Sequence, residues 1–253
     1  MAYAYHLKLA AEDLQGATVA ILPGDPGRVG SIAAAISPEH KQLAANREYT
    51  SFLACDGTVP VLVTSTGIGG PSTSIAIEEL ASLGVRTFLR VGTTGAIQPG
   101  IALADIIITT AAVRLDGASG HYAPKEYPAV AHHEPLMALI QAARELKLPH
   151  HIGITASSDT FFPGQERYST YSGYVIKAFQ GSLAEWKALH VLNYEMESAT
   201  LLTMCAAFGL RAGCVTGVVA LREEHEAVNE AMLKLAEQRA ITAVIAAMRN
   251  LRT

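Results

Sequence analysis

Residues 61–80, VLVTSTGIGGPSTSIAIEEL, constrain this chain more than any other stretch. An apolar, β-branched run, Val61-Leu62-Val63, ends in Thr64-Ser65-Thr66 and breaks at Gly67-Ile68-Gly69-Gly70. Pro71 suits a first helical turn, and Ile75, Ala76, Ile77, Leu80 and Leu83 then follow helical spacing. The reading is strand, glycine-rich turn, helix. Glycines let backbone approach a ligand, and a helix start offers unpaired N–H groups to an anion. The same residues also serve as a tight connection with no ligand. Two nucleotide motifs are excluded. No Lys follows the glycines as a P-loop requires. Ser72 stands where a dinucleotide fingerprint needs its third Gly, and no acid ends a second strand at the required distance.

The 253 residues, half of them hydrophobic, suffice for one α/β core, and residues 1–253 read as a single domain without repeats or linkers. A net charge of −4, without a basic stripe, argues against a nucleic-acid partner. Cys55, Cys205 and Cys214 are widely spaced and odd in number, which suits buried thiols in a reducing compartment. Residues 1–16 lack a basic segment followed by an apolar one, and no apolar run approaches the ~18 residues of a membrane span. A soluble, cytoplasmic protein with no membrane partner is expected.

Along the chain, residues 17–22 read as a buried strand that runs into Pro23-Gly24-Asp25-Pro26-Gly27-Arg28, with a helix from near Arg28 to Ile36. Asn46-Arg47-Glu48-Tyr49 precedes a strand through Cys55, and Asp56-Gly57 marks a hairpin whose return strand is 59–64. Residues 85–91 read as a strand carrying Arg90 into a Gly92-Thr93-Thr94-Gly95 loop. An Arg inside an apolar strand needs an anionic partner, either an internal carboxylate or a ligand. Further strands are expected at 104–110, 152–156 and 212–219, and helices at 135–146, 199–208 and 229–251. Residues 157–168, SSDTFFPGQERY, follow a strand with no regular pattern. They suit either an ordinary surface loop or a site in which Phe161, Gln165 and Arg167 meet a planar, oxygen-bearing heterocycle. Glu195 and Glu197 precede a helix that is apolar nearly all round. Such acids are caps or ligands for hydroxyls, and a cap needs only one. Residues 220–226 form a charged segment suited to a mobile lid.

Strand ends at 24–28, 65–72, 90–95, 157–167 and 217–222 all carry glycine, hydroxyl or charged residues. Ligands of α/β sheets lie beyond the carboxyl ends of strands. If these strands share a sheet, Arg28, Arg90, Thr93 and glycine amides surround one anion, phosphate by its match to arginine. Glu197 then accepts from vicinal sugar hydroxyls, and Gln165 with Arg167 reads a base edge. Anion, sugar and base together describe phosphorolysis of a nucleoside.

These residues resemble the nucleoside phosphorylase-I family. The resemblance rests on 66–80, on Pro23-Gly24-Asp25-Pro26-x-Arg28, on Arg90-Val91-Gly92-Thr93-Thr94-Gly95 and on Glu195-Met196-Glu197. Residues 161–168 are similar to the pyrimidine-reading insertion of its uridine-cleaving bacterial members. The pattern departs from the family in the first few residues and after Arg222, at 223–228. The resemblance implies a three-layer αβα fold with a mixed, partly barrel-like sheet, and a homohexamer built as a trimer of dimers. It implies phosphate held by Gly24, Arg28, Arg90 and Thr93, with Arg47 from the dimer partner. Ribose is held by Met196, Glu197 and the partner's His6. Uracil is held by Gln165 and Arg167, with Phe161 stacking and Arg222 near its carbonyl edge. Glu48, the Ile68 carbonyl and Ser72 resemble a monovalent-cation site, potassium being the expected ion, while the chemistry requires no cofactor. The implied reaction converts uridine and phosphate to uracil and ribose 1-phosphate. A purine-specific member needs an acid near the last strand to protonate the base, where this chain has Leu221-Arg222. A hydrolase has no use for paired arginines, and a sensor that binds nucleosides without turnover is separated by uracil release.

Overall fold

The structure is a computed structural model that describes residues 3–222 and 229–251. The expected lid after Arg222, at 223–228, lies outside the described residues. In chain order the elements are β1 (Tyr3–Ala4), β2 (Leu9–Ala10), β3 (Val19–Pro23), α1 (Val29–Ile36), β4 (His40–Asn46), β5 (Tyr49–Asp56), β6 (Val59–Thr64), α2 (Gly70–Ser82) and β7 (Thr87–Ala96). There follow β8 (Ile106–Leu115), β9 (Ala129–Val130), α3 (His133–Glu145), β10 (His150–Ser158), α4 (Ser182–Ala188), β11 (Asn193–Glu195), α5 (Ser198–Ala207), β12 (Arg211–Leu221) and α6 (Glu230–Asn250).

Period-two alternation explains the layers. Ile21, Val63 and Leu89 face one side of the sheet and join Val29 and Ile32 of α1, Leu139 of α3 and Val244 and Met248 of α6. Their neighbours Leu22, Leu62 and Phe88 face the other side and pack with Ile77 and Leu80 of α2 and Leu201 and Leu202 of α5. A strand buried on both faces needs a continuous apolar run, as 19–22 and 61–63 provide. This is the expected αβα arrangement.

The main sheet runs β11-β10-β8-β12-β7-β3-β6-β5-β4, and β11 also pairs with β7. That last pairing closes β7, β12, β8, β10 and β11 into a five-strand barrel, with β3, β6, β5 and β4 as its extension. β3, β6 and β12 run parallel to the β7 direction, whereas β11 runs against β7 and β8 against β12. The common carboxyl edge inferred from sequence therefore holds for β3, β6, β7 and β12 only. β10 and β11 bring their following loops in from the opposite direction, along the last residues of β7.

Four local expectations are corrected. Residues 92–95 are the second half of β7, and 217–221 remain strand in β12. Barrel closure supplies both with hydrogen-bonding neighbours, which outweighs the weak strand preference of glycine. β4 was not expected, because its exposed HKQLAAN lacks an apolar face; it is an edge strand paired to β5. Helix α4 was hidden in the polar stretch after 168. α6 lies directly on β12, where a Cβ on Gly217 would sit 2.4 Å from the Ala236 carbonyl oxygen. Asn229 caps α6 by accepting from the Ala231 and Met232 N–H groups. The three cysteines are free thiols. Among the described residues no helix is long and apolar enough to cross a membrane.

Candidate active site

Arg90 lies mid-strand in β7, opposite Leu22 of β3 and Cys214 of β12, and is only 5% exposed. Its Nε donates to Glu195 Oε2 at 3.1 Å and its Nη2 donates to Glu197 Oε2. A Cβ on Gly92 would meet Nη2 at 2.8 Å, so glycine there lets the guanidinium fold back along the strand. Nη1 is buried with no hydrogen-bond partner among the described residues. A Cβ on Gly24, the residue after β3, would lie 4.0 Å from Nη1 and 3.2 Å from the Gly67 carbonyl oxygen. An unsatisfied buried cationic donor is costly, and the Gly24 backbone stands beside it without a side chain to cover it. Such a corner can take an anionic oxygen.

The two acids after β11 divide the alternatives left open by sequence. Glu195 serves the helix start, accepting from Ser198 N–H at 3.0 Å, Ser198 Oγ at 2.6 Å and Glu197 N–H at 3.0 Å. Glu197 is the N-cap residue of α5 by position, yet its side chain makes no cap bond. It turns instead to Arg90 and to the N–H of Gly69, 2.7 Å away at the start of α2. Gly69 has φ 89°, a left-handed conformation that favours glycine. Burial pushes both carboxyls toward the protonated form. At Glu195, Arg90 and the Ser198 hydroxyl outweigh burial and hold it below the usual carboxylate range. At Glu197, burial prevails over Arg90, the Glu195 charge adds to it, and the carboxyl is raised. Met196 is half-buried beside them.

Arg28 ends the turn after Pro26, which Asp25 caps by accepting from Gly27 N–H. Its Nη2 lies 2.6 Å from Glu237 Oε1 of α6, a carboxylate partner for which nothing in the sequence gave a signal. Thr93 is half-buried on β7, opposite Gly217. Arg47 is exposed at the β4–β5 turn, and no contact joins it to Arg28 or Arg90 within the chain. His6 is also away from this corner: its Nδ1 lies 2.6 Å from Glu79 Oε1, which also accepts its backbone N–H.

The residues after β10 form a second cluster. Gln165 is 3% exposed and Arg167 is 8% exposed. Arg167 Nη2 lies 3.5 Å from Gln165 Oε1, and its guanidinium lies 4.0 Å over the Phe161 ring. Arg222 Nη2 donates to the Gln165 carbonyl at 2.9 Å, so the end of β12 holds this loop. A Cβ on Gly95 would touch the Arg222 stem at 3.5 Å. The third cluster is at the central glycine turn. A Cβ on Gly67 would lie 2.8 Å from Glu48 Cγ, and Ser72 Oγ donates to the Ile68 carbonyl at 3.2 Å. One carboxylate, one carbonyl and one hydroxyl are thus neighbours, an all-oxygen set suited to a hard cation. Among the described residues no group of three or more His, Cys, Asp or Glu side chains could hold a metal ion.

Comparison with known proteins agrees with this geometry. The model of the "Phosphorylase superfamily" matches residues 18–249. A uridine phosphorylase of Escherichia coli (strain K12) is 59% identical over 247 residues, 98% of this chain and 97% of that protein. One from Haemophilus influenzae is 56% identical over 252 residues, 99% of each chain. A guanosine phosphorylase of Halorubrum lacusprofundi is 36% identical over 218 residues, 86% of this chain and 83% of its own. With a match that spans all but the ends of the chain, and with a buried arginine–carboxylate corner beside a glycine turn, this protein belongs to the phosphorylase superfamily.

Proposed function

We propose that this protein is a uridine phosphorylase, a pentosyltransferase that converts uridine and phosphate reversibly to uracil and ribose 1-phosphate. The observation that carries this reading is the pairing of Arg90, with its unsatisfied Nη1, to Glu197, in a chain 59% identical to a uridine phosphorylase. Phosphate accepts from Arg90 Nη1, the Gly24 backbone, Thr93 and Arg28. Glu197 accepts from the ribose hydroxyls, with Met196 against the sugar. Gln165 and Arg167 bond the uracil edge, Phe161 covers its face, and Arg222 supports Gln165 and the carbonyl edge.

The C1′–N1 bond breaks with its electron pair passing to the base, and a phosphate oxygen forms the new bond to C1′. Arg90 and Arg28 hold that oxygen on the face opposite the base. Gln165 and Arg167 stabilise the departing uracil anion. Catalysis is placement plus electrostatic complementarity, without a covalent enzyme intermediate.

Within one chain the arginines are already balanced: Arg90 and Arg28 each meet two carboxylates, the Arg28–Asp25 contact being the longer at 3.8 Å. An anion site gains from further positive charge. Exposed Arg47 and half-buried His6 supply it from a neighbouring subunit in a homohexamer assembled as a trimer of dimers. Glu48, the Ile68 carbonyl and Ser72 hold a monovalent cation, potassium, at that dimer interface, where it fixes the glycine turn. Uracil release from uridine, followed in phosphate and in phosphate-free buffer, tests the reading. Activity is expected only with phosphate; an undiminished rate without it identifies a hydrolase and overturns the proposal.

A further inference from the structure

The base-reading pair is separated by one residue, Glu166, to which the mechanism above gives no task. Glu166 has φ 53° and ψ 43°, the left-handed region that side-chain-bearing residues avoid. It follows a tight turn, Pro163–Gln165, whose close packing leaves no room at Gly164, where a Cβ would lie 2.3 Å from Ser158 Oγ. The left-handed residue reverses the chain, so that Gln165 and Arg167 reach the same side, 3.5 Å apart.

What holds Glu166 there is its carboxylate. Oε1 accepts from Gly181 N–H at 2.5 Å and Oε2 from Leu183 N–H at 2.6 Å, at the beginning of α4. The Tyr168 hydroxyl donates to Oε1 at 3.2 Å. These bonds tie the loop to the start of α4, outside the phosphate corner. Beside them, backbone bonds inside the loop, the Gly164 N–H on Thr160 Oγ1 and Arg222 on the Gln165 carbonyl hold the turn.

We infer that Glu166 is a positioning residue for uracil recognition: it pins the left-handed turn to residues 181–183 and so sets the spacing of Gln165 and Arg167. The inference rests on the uridine reading above. It assigns Glu166 an effect on the base alone, because the phosphate corner is built on β3 and β7.

The test uses the full-length enzyme with Glu166→Gly, Glu166→Ala and Glu166→Gln. Glycine adopts the left-handed backbone without strain, so Glu166→Gly removes the carboxylate anchor alone. Loss of a group that orients a binding side chain typically lowers function ~10- to 100-fold, and that fall in kcat/KM for uridine is expected, at unchanged KM for phosphate. Discrimination between uridine and inosine should narrow by a similar factor. Glu166→Gln keeps one acceptor oxygen and should recover part of the loss. The inference is overturned if Glu166→Gly and Glu166→Ala leave uridine kinetics unchanged. It is also overturned if KM for phosphate and the melting temperature worsen in step with uridine turnover, which is general loosening. If Glu166→Gly unfolds, Glu166→Gln decides: a raised uridine KM at constant phosphate KM supports the inference, and two unchanged constants remove it. Wild-type protein that releases no uracil would remove the functional reading itself, a failure distinct from active variants beside an active wild type.

Discussion

The corner around Arg90 and the loop around Gln165 are built on different physical principles. The first is made from the core. Its arginine is mid-strand in a closed barrel, its acids start a buried helix, and its glycines are fixed by atoms that a Cβ would strike. The second is a loop. Its polar side chains are buried, but Phe161 above them is 47% exposed, and its shape depends on a few side-chain bonds. Under the proposed function the difference separates reaction from selection: phosphate and ribose are common to nucleosides, and the base is not.

The largest expected effect tests selection. Leaving Gln165 and Arg167 unpaired in a closed pocket should favour uridine over inosine on the order of 10⁴-fold in kcat/KM. Comparable constants for the two would show that the loop does not choose the base. Next, Arg90→Ala should lower kcat/KM by about 10³-fold, the scale for removing a donor from a developing charge. It should also lower the melting temperature, because breaking a buried ion pair costs roughly 3–5 kcal/mol. Lost activity with unchanged stability would mean that the carboxylates do not depend on this arginine.

A smaller effect is expected at Glu197. Glu197→Gln should lose about ten- to a hundredfold in kcat/KM, in line with a charge-assisted bond of roughly 1.5–3 kcal/mol. Its raised pKa adds a pH signature. As pH falls, the carboxylate takes up its proton earlier than an ordinary Glu, so activity should fall on an acid limb displaced upward. The stability sign is opposite: protonation favours the folded state, and this contribution is lost as pH rises through the folded pKa. An acid limb that persists unchanged in Glu197→Gln would assign it to another group. The smallest effect concerns Glu237, which pairs with Arg28, a proposed phosphate ligand, across a partly exposed contact. Glu237→Gln should lower KM for phosphate a few-fold, since such pairs contribute at most about 1 kcal/mol. A raised KM would instead show that Glu237 aims Arg28.

The same contrast governs what the sequence disclosed. Arg90 and Glu197 stood out because charge in an apolar strand or beside an apolar helix requires a partner. The strands of the core announced themselves through unbroken β-branched runs. β4 did not, since an exposed edge strand needs no apolar face. The strand at 92–95 was hidden because its support comes from β12 and β11, far along the chain. The roles of Glu166 and Glu237 were equally hidden: each is an ordinary acid in a polar stretch until its partners are brought to it by folding.

The unsatisfied Nη1 of Arg90 also bears on how the protein should be handled and stored. A ligand that binds only the folded chain raises the free energy of unfolding by RT ln(1 + [L]/Kd), about 2.7 kcal/mol at a hundredfold excess over Kd. Under the proposed function, phosphate filling that corner acts as a folding cofactor as well as a substrate, and the melting temperature becomes a calorimetric readout of its occupancy.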